Sequence, residues 1–134
     1  MDVKRTKGAV YNINYHLVWC PKYRRHILSG QVADRLRELL DEIAVQYGFE
    51  ILACEVMPDH VHLFVSAPPK YSPANLAKLF KGITFRRLRQ ELSEPIRNHI
   101  WKPGTLWSPS YYVGTAGNAS SQVIRRYIEE CQHI

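Results

Sequence analysis

The chain has 134 residues, about one domain's worth of polymer. Its 46% hydrophobic and 22% charged content excludes a disordered chain, and no apolar run approaches the ~18 residues that a membrane helix needs. Eighteen Lys and Arg against 12 Asp and Glu leave a net charge of +6, which favours an anionic partner, nucleic acid ahead of an anionic membrane surface.

Residues 1–8 read as a basic N-terminal tail. Asn12 and Asn14 interrupt the sequence after it, so no signal-peptide hydrophobic region forms and a cytoplasmic location is expected. Residues Val10 to Cys20 alternate as a strand does, with Ile13, Tyr15, Leu17 and Trp19 on one face and Asn12, Asn14, His16 and Val18 on the other. Pro21 ends that strand, and Lys22 to His26 reads as an exposed basic loop. From Gln31 to Tyr47, Val32, Leu36, Leu39, Leu40, Ile43 and Tyr47 recur at helical steps, and Gly48 supplies the stop. Phe49–Met57 and His60–Ala67 predict an antiparallel hairpin turning at Pro58-Asp59. Ser72 and Pro73 suit the cap and first turn of a helix to about Leu92, with Gly82 a weak point. Phe85, Leu88 and Leu92 rotate away from Leu76, Leu79, Phe80 and Ile83, which implies either a bend or contacts with two partners. Trp101–Trp107 reads as a loop and Tyr111–Thr115 as a short strand. Residues 114–119, with Gly114 and Gly117, read as a flexible tether, and 120–134 as a final helix. Cys20, Cys54 and Cys131 are odd in number and lack CxxC spacing, so buried free thiols are expected.

The first six elements match the split βαβ order of a ferredoxin-like α+β domain, an antiparallel sheet with two helices on one face. The other face is then available for a site, and the seventh element must dock on the sheet or on another subunit. His60 and His62 flank Val61 in a strand, where a period of two points both imidazoles to the uncovered face and Val61, Leu63 and Val65 to the helices. Two imidazoles converging on one cation leave a metal site incomplete, so a third ligand must come from elsewhere. On the last helix Val123, Ile124, Tyr127, Ile128 and Cys131 share a face that packing alone would explain.

The element order, the segment from Tyr15-His16-Leu17-Val18-Trp19-Cys20 through Pro21-Lys22-Tyr23-Arg24, the run Met57-Pro58-Asp59-His60-Val61-His62 and the late Tyr127-Ile128-Glu129 together resemble a known family. It is the single-tyrosine transposases of small insertion sequences, transposase A type, within the HUH (histidine, hydrophobe, histidine) endonucleases. The resemblance spans about Val10 to Gln132. It implies an enzyme that cuts and rejoins single-stranded DNA, with His60 and His62 holding a divalent metal (Mg²⁺ or Mn²⁺) and Tyr127 attacking the phosphodiester. The products implied are a 5′-phosphotyrosine link and a free 3′-hydroxyl. It also implies a homodimer, binding to subterminal DNA hairpins, and a glutamine ligand four residues after the tyrosine. Cys131 stands at that position in this chain, with Gln132 one residue on, so Gln132 is taken as the third ligand, with Cys131, or water or another side chain in place of both, as the alternatives. Lys22, Tyr23, Arg24, Arg25, Lys78, Lys81, Arg86 and Arg89 are the candidate DNA contacts, Tyr23 by stacking on a base. His16 and Asp59 are candidates to support the metal ligands, His16 equally a strand histidine with no part in the chemistry. A relative that binds hairpin DNA without cutting is the alternative reading, and a metal-dependent phosphodiesterase is a third.

Overall fold

The computed structural model describes residues 3–97, 106–115 and 121–130. Its element order is β1 (Lys4–Thr6), β2 (Ala9–Tyr11), β3 (Asn14–Trp19), α1 (Gly30–Tyr47), β4 (Glu50–Met57), β5 (His60–Ser66), α2 (Pro73–Glu91), α3 (Ser93–Arg97), β6 (Tyr112–Thr115) and α4 (Ser121–Glu130). A four-stranded antiparallel sheet runs in the order β4-β5-β3-β6, the ferredoxin-like arrangement expected from the sequence.

Period-two alternation builds this sheet. Leu17 lies opposite Leu63, Trp19 opposite Val61 and Tyr15 opposite Val65, all on the face that α1 and α2 cover. Leu36, Leu39, Leu40 and Ile43 of α1 and Leu76, Phe80 and Leu88 of α2 complete the core. Burying a side chain of this size stabilises the fold by about 1.5–3 kcal/mol. α1 ends where Gly48 turns left-handed at φ 77°, and α2 starts with Ser72 accepting from the Asn75 amide. Arg35 of α1 pairs with Glu42 and, at 2.6 Å, with Glu91 of α2, tying the two helices on their solvent side. That pairing lowers the Glu91 carboxyl pKa and raises that of the Arg35 guanidinium, each chiefly through the Arg35–Glu91 hydrogen bond.

Several expectations are revised. The presumed tail supplies β1, which pairs with β2 as a separate two-stranded hairpin, and Lys4 forms an ion pair with Glu50. The strand expected over Val10–Cys20 is therefore two strands, broken at Asn12-Ile13, where Asn14 donates to the Asn12 side chain. α2 runs through Gly82 to Glu91 within its expected bounds, and after the Leu92 cap a short α3, not expected, begins at Ser93. Leu106–Ser108 is anchored to the main sheet's chain: Lys22 N–H donates to Leu106 and Ser108 N–H to Cys20, beside a Pro21–Trp107 bridge. Cys20 is buried as expected, but Cys54 is exposed because β4 is an edge strand.

Candidate active site

His60 and His62 lie on the sheet face away from α1 and α2. Val61, Leu63 and Val65 between and beyond them are fully buried, while both histidines are half-buried. Across the sheet, Glu55 of β4 faces His62, and Val18 of β3 lies on its other side with Tyr112 of β6 beyond.

His60 is held from the hairpin turn, where its Nδ1 lies 2.9 Å from Asp59 Oδ1. The second carboxylate oxygen faces Arg24 Nε at 3.4 Å and His26 Nε2 at 3.9 Å. Arg24 reaches that carboxylate from a single 3₁₀ turn, Lys22–Arg24, in which Tyr23 and Arg24 are both left-handed at φ 60° and 52°. Each such residue costs about 1–2 kcal/mol when it is not glycine, so the turn is held by what surrounds it. Pro21, bridged to Trp107, and the Arg24–Asp59 pair supply that restraint.

His62 meets a second imidazole. Its Nε2 lies 3.0 Å from Nδ1 of His16 on the neighbouring strand, and the His16 ring stacks on Phe64 at 4.2 Å and 4°. Burial lowers the pKa of both rings, and for His62 the nearby His16 and His60 lower it further, opposed by Glu55.

Tyr127 projects from α4 to the far edge of the sheet. Its hydroxyl lies 3.1 Å from Ser110 Oγ and its ring 6.5 Å from that of Tyr112. Ser110 is fixed in turn, since Lys81 Nζ donates to the carbonyls of Ser110 (3.2 Å) and Ser108 (2.8 Å). Gly114, expected in the tether, is a strand residue opposite His16, and a Cβ there would lie 2.6 Å from the Tyr112 hydroxyl. Ser110, Phe64 and Tyr112 escaped sequence reasoning. Phe64 and Tyr112 could have been found from strand parity, but nothing local to Ser110 points to Tyr127.

An imidazole whose second nitrogen is tied to a carboxylate is a usual divalent-cation ligand, and His60 has that form with Nε2 left over. His60 thus has the form of a cation ligand, while His62 is engaged at Nε2 by His16. Among the described residues no group of three or more His, Cys, Asp and Glu could hold one, and the two candidates for the missing donor, Cys131 and Gln132, lie outside the described residues.

The eight basic and aromatic candidates divide between two surfaces. Lys22, Tyr23, Arg24 and Arg25 form the turn beside Asp59, with Tyr23 53% exposed and the charges of Lys22 and Arg25 each 5.6 Å from its ring. Lys78, Lys81, Arg86 and Arg89 belong to α2, on the opposite side of the sheet from His60 and His62. Grooves of about 340 and 620 Å³ flank that helix, sharing Lys78 and Gly82, and the larger also presents Lys70, Tyr71 and Arg86. No described helix is long and apolar enough to cross a membrane.

Comparison with known proteins bears on this arrangement. The family described as "Transposase IS200 like" matches residues 9–131. The chain is 41% identical over 133 residues to the ISDra2 transposase TnpA of Deinococcus radiodurans, covering 99% of this chain and 93% of that one. It is 26% identical over 132 residues to the transposase for insertion sequence element IS200 of Salmonella typhimurium, covering 96% and 86%. A crystal structure from Deinococcus radiodurans R1, reported as a candidate transposase, superposes with a TM-score of 0.85 at 41% identity over 96% of this chain and 97% of that one. A REP-associated tyrosine transposase bound to a REP hairpin shares the fold, with a TM-score of 0.54 at 15% identity over 96% and 69%. A match across nearly the whole length, on a ferredoxin-like sheet with histidines on its open face, makes this chain a member of the IS200-like family, the transposases of small insertion sequences.

Proposed function

We propose that this transposase cuts and rejoins single-stranded DNA at insertion-sequence ends through a covalent link to Tyr127. The observation that carries the reading is the His60–Val61–His62 pair on the open sheet face, with His60 Nδ1 tied to Asp59. His60 and His62, with Gln132 or Cys131 as a third donor, would hold a divalent cation, which when bound would supply positive charge at a phosphodiester oxygen. Asp59 orients His60 and is itself held in place by Arg24. Tyr127 is the nucleophile. A phenol with an ordinary pKa near 10 needs assistance at neutral pH, so its position against the activated phosphate matters more than its intrinsic reactivity. The Tyr127 oxygen–phosphorus bond forms as the bond from phosphorus to the 3′-oxygen breaks. The phenolic proton leaves to solvent, and the 3′-oxygen takes one up. A second 3′-hydroxyl reverses the step and rejoins the strand, with the phosphodiester energy kept in the covalent link.

The two basic surfaces then take two parts of the substrate. The Lys22–Arg25 turn lies against the strand to be cut, with Tyr23 under an unpaired base. Lys78, Arg86 and Arg89 on α2 take the phosphates of a subterminal hairpin, a ligand of the kind held by the REP-associated neighbour. The working unit is a homodimer, in which α4 of one copy can serve the histidines of the other.

The test is an incubation of the purified protein with 5′- and 3′-labelled single-stranded DNA carrying its own hairpin, with Mn²⁺. A denaturant-resistant adduct on the 5′-phosphate fragment is expected. It should map to Tyr127 and be absent with EDTA or in Tyr127→Phe. Hairpin binding without an adduct would identify a non-cutting relative, and DNA cleavage that survives in Tyr127→Phe would identify a phosphodiesterase.

A further inference from the structure

The two candidate metal ligands are each engaged at one ring nitrogen, and at different ones. His60 uses Nδ1, toward Asp59, and keeps Nε2. His62 uses Nε2, toward His16, and has Nδ1 as its other ring nitrogen. A neutral imidazole carries one proton, so a ligand histidine must hold that proton on the nitrogen that does not bind the cation. If His62 Nε2 accepted a proton from His16, then Nδ1 would carry the His62 proton and neither nitrogen would remain for a cation. His62 can serve as a ligand in this geometry only as the donor to His16.

His16 is built to receive that proton. It lies opposite Phe64 in the β3–β5 register, with its ring flat against the phenyl ring, and on its other side it faces Gly114, which carries no side chain. Its Nδ1 is aimed along the sheet face at His62 Nε2.

We propose that His16 is the positioning residue of His62: it accepts the Nε2 proton of His62 at Nδ1, so that His62 presents Nδ1 to the cation while His60 presents Nε2. The proposal rests on the metal reading of the histidine pair. It gives the site two unlike supports, a carboxylate behind one ligand and an imidazole behind the other, and it assigns work to a histidine that the strand pattern leaves unexplained.

Mn²⁺ affinity of the full-length protein, read from the free-ion electron paramagnetic resonance signal, tests this without any DNA cleavage. His16→Ala should weaken Mn²⁺ binding by about tenfold or more, the usual cost of losing a group that orients a metal ligand. His16→Asn should recover most of it, because Oδ1 of asparagine falls near the place of Nδ1 and accepts a proton. His16→Gln, whose amide reaches past that place, should not. Wild-type affinity in His16→Ala, or equal recovery by Gln and Asn, overturns the proposal. His60→Ala separates the two readings. If it abolishes Mn²⁺ binding while His16→Ala leaves it unchanged, only the role of His16 fails. If the wild-type protein retains no Mn²⁺, the metal reading fails and this proposal with it.

Discussion

His16 and His62 lie side by side on the open sheet face, their ring centroids 5.3 Å apart, and their protonation bears on stability. Histidine ordinarily titrates near about 6.5, and burial holds His16 and His62 below that. Below 6.5 the unfolded chain therefore binds protons that the folded one refuses. Their contribution to stability is complete above that pH and declines as pH falls through it toward the folded values. The metal-free protein should accordingly melt at a lower temperature at pH 5.5 than at pH 7.5. His16→Phe, which keeps a flat ring against Phe64, should narrow that difference, and an unchanged difference in the variant would show that other groups set the pH dependence. At this scale the sequence was partly legible. Strand parity places His60 and His62 on one face because Val61, Leu63 and Val65 demand the other. The His16–His62 contact joins residues 46 positions apart and depends on the β3–β5 register, which neither segment states alone.

Among the elements, those with local signals were readable and those made by pairing were not. Gly48 and Ser72 mark helix ends through their own backbone and side-chain chemistry, so α1 and α2 fall close to their expected bounds. Lys4-Arg5-Thr6 has no apolar alternation and becomes a strand only because β2 pairs with it. Leu106–Ser108 is likewise drawn into register by backbone bonds to Cys20 and Lys22. β6 carries the sharpest consequence. A methyl group on Gly114 would press on the tip of the Tyr112 side chain, a group that can swing aside, so Gly114→Ala should change stability by less than about 1 kcal/mol. The displaced Tyr112 ring is the neighbour of Tyr127, and adduct formation should slow by about tenfold, less than the ~100-fold that a 1 Å misplacement of a reacting group can cost. Thermal melts with single-turnover rates check both halves. A large loss of stability, or an unaltered rate, would show that Tyr112 does not govern Tyr127.

Across the whole molecule the sheet separates two positive surfaces, so the net charge of +6 does not act as one field. Each duplex phosphate contact contributes about −0.9 to the slope of log affinity against log salt, and each single-strand contact about −0.7. Lys78→Ala with Arg86→Ala should therefore reduce the slope for an isolated hairpin by nearly 2 and leave that for an unstructured strand unchanged. Arg25→Ala should do the reverse, by about 0.7. Equal effects on both ligands would place the two clusters on one DNA path. Lys81 is best left intact in such experiments, because its ammonium is bound to the Ser108 and Ser110 carbonyls. The sheet order β4-β5-β3-β6 also has a bearing on biosynthesis. The two strands that align His16 and His62, β3 and β5, are complete by residue 66, whereas the strand bearing Tyr112 comes only at residues 112–115 and the helix bearing Tyr127 after it. A ribosome extends a chain at about 5–20 residues per second, so for several seconds the nascent chain carries His16, His60 and His62 without the segment that bears Tyr127. On the function proposed above, a chain interrupted before α4 would lack the residue that attacks DNA.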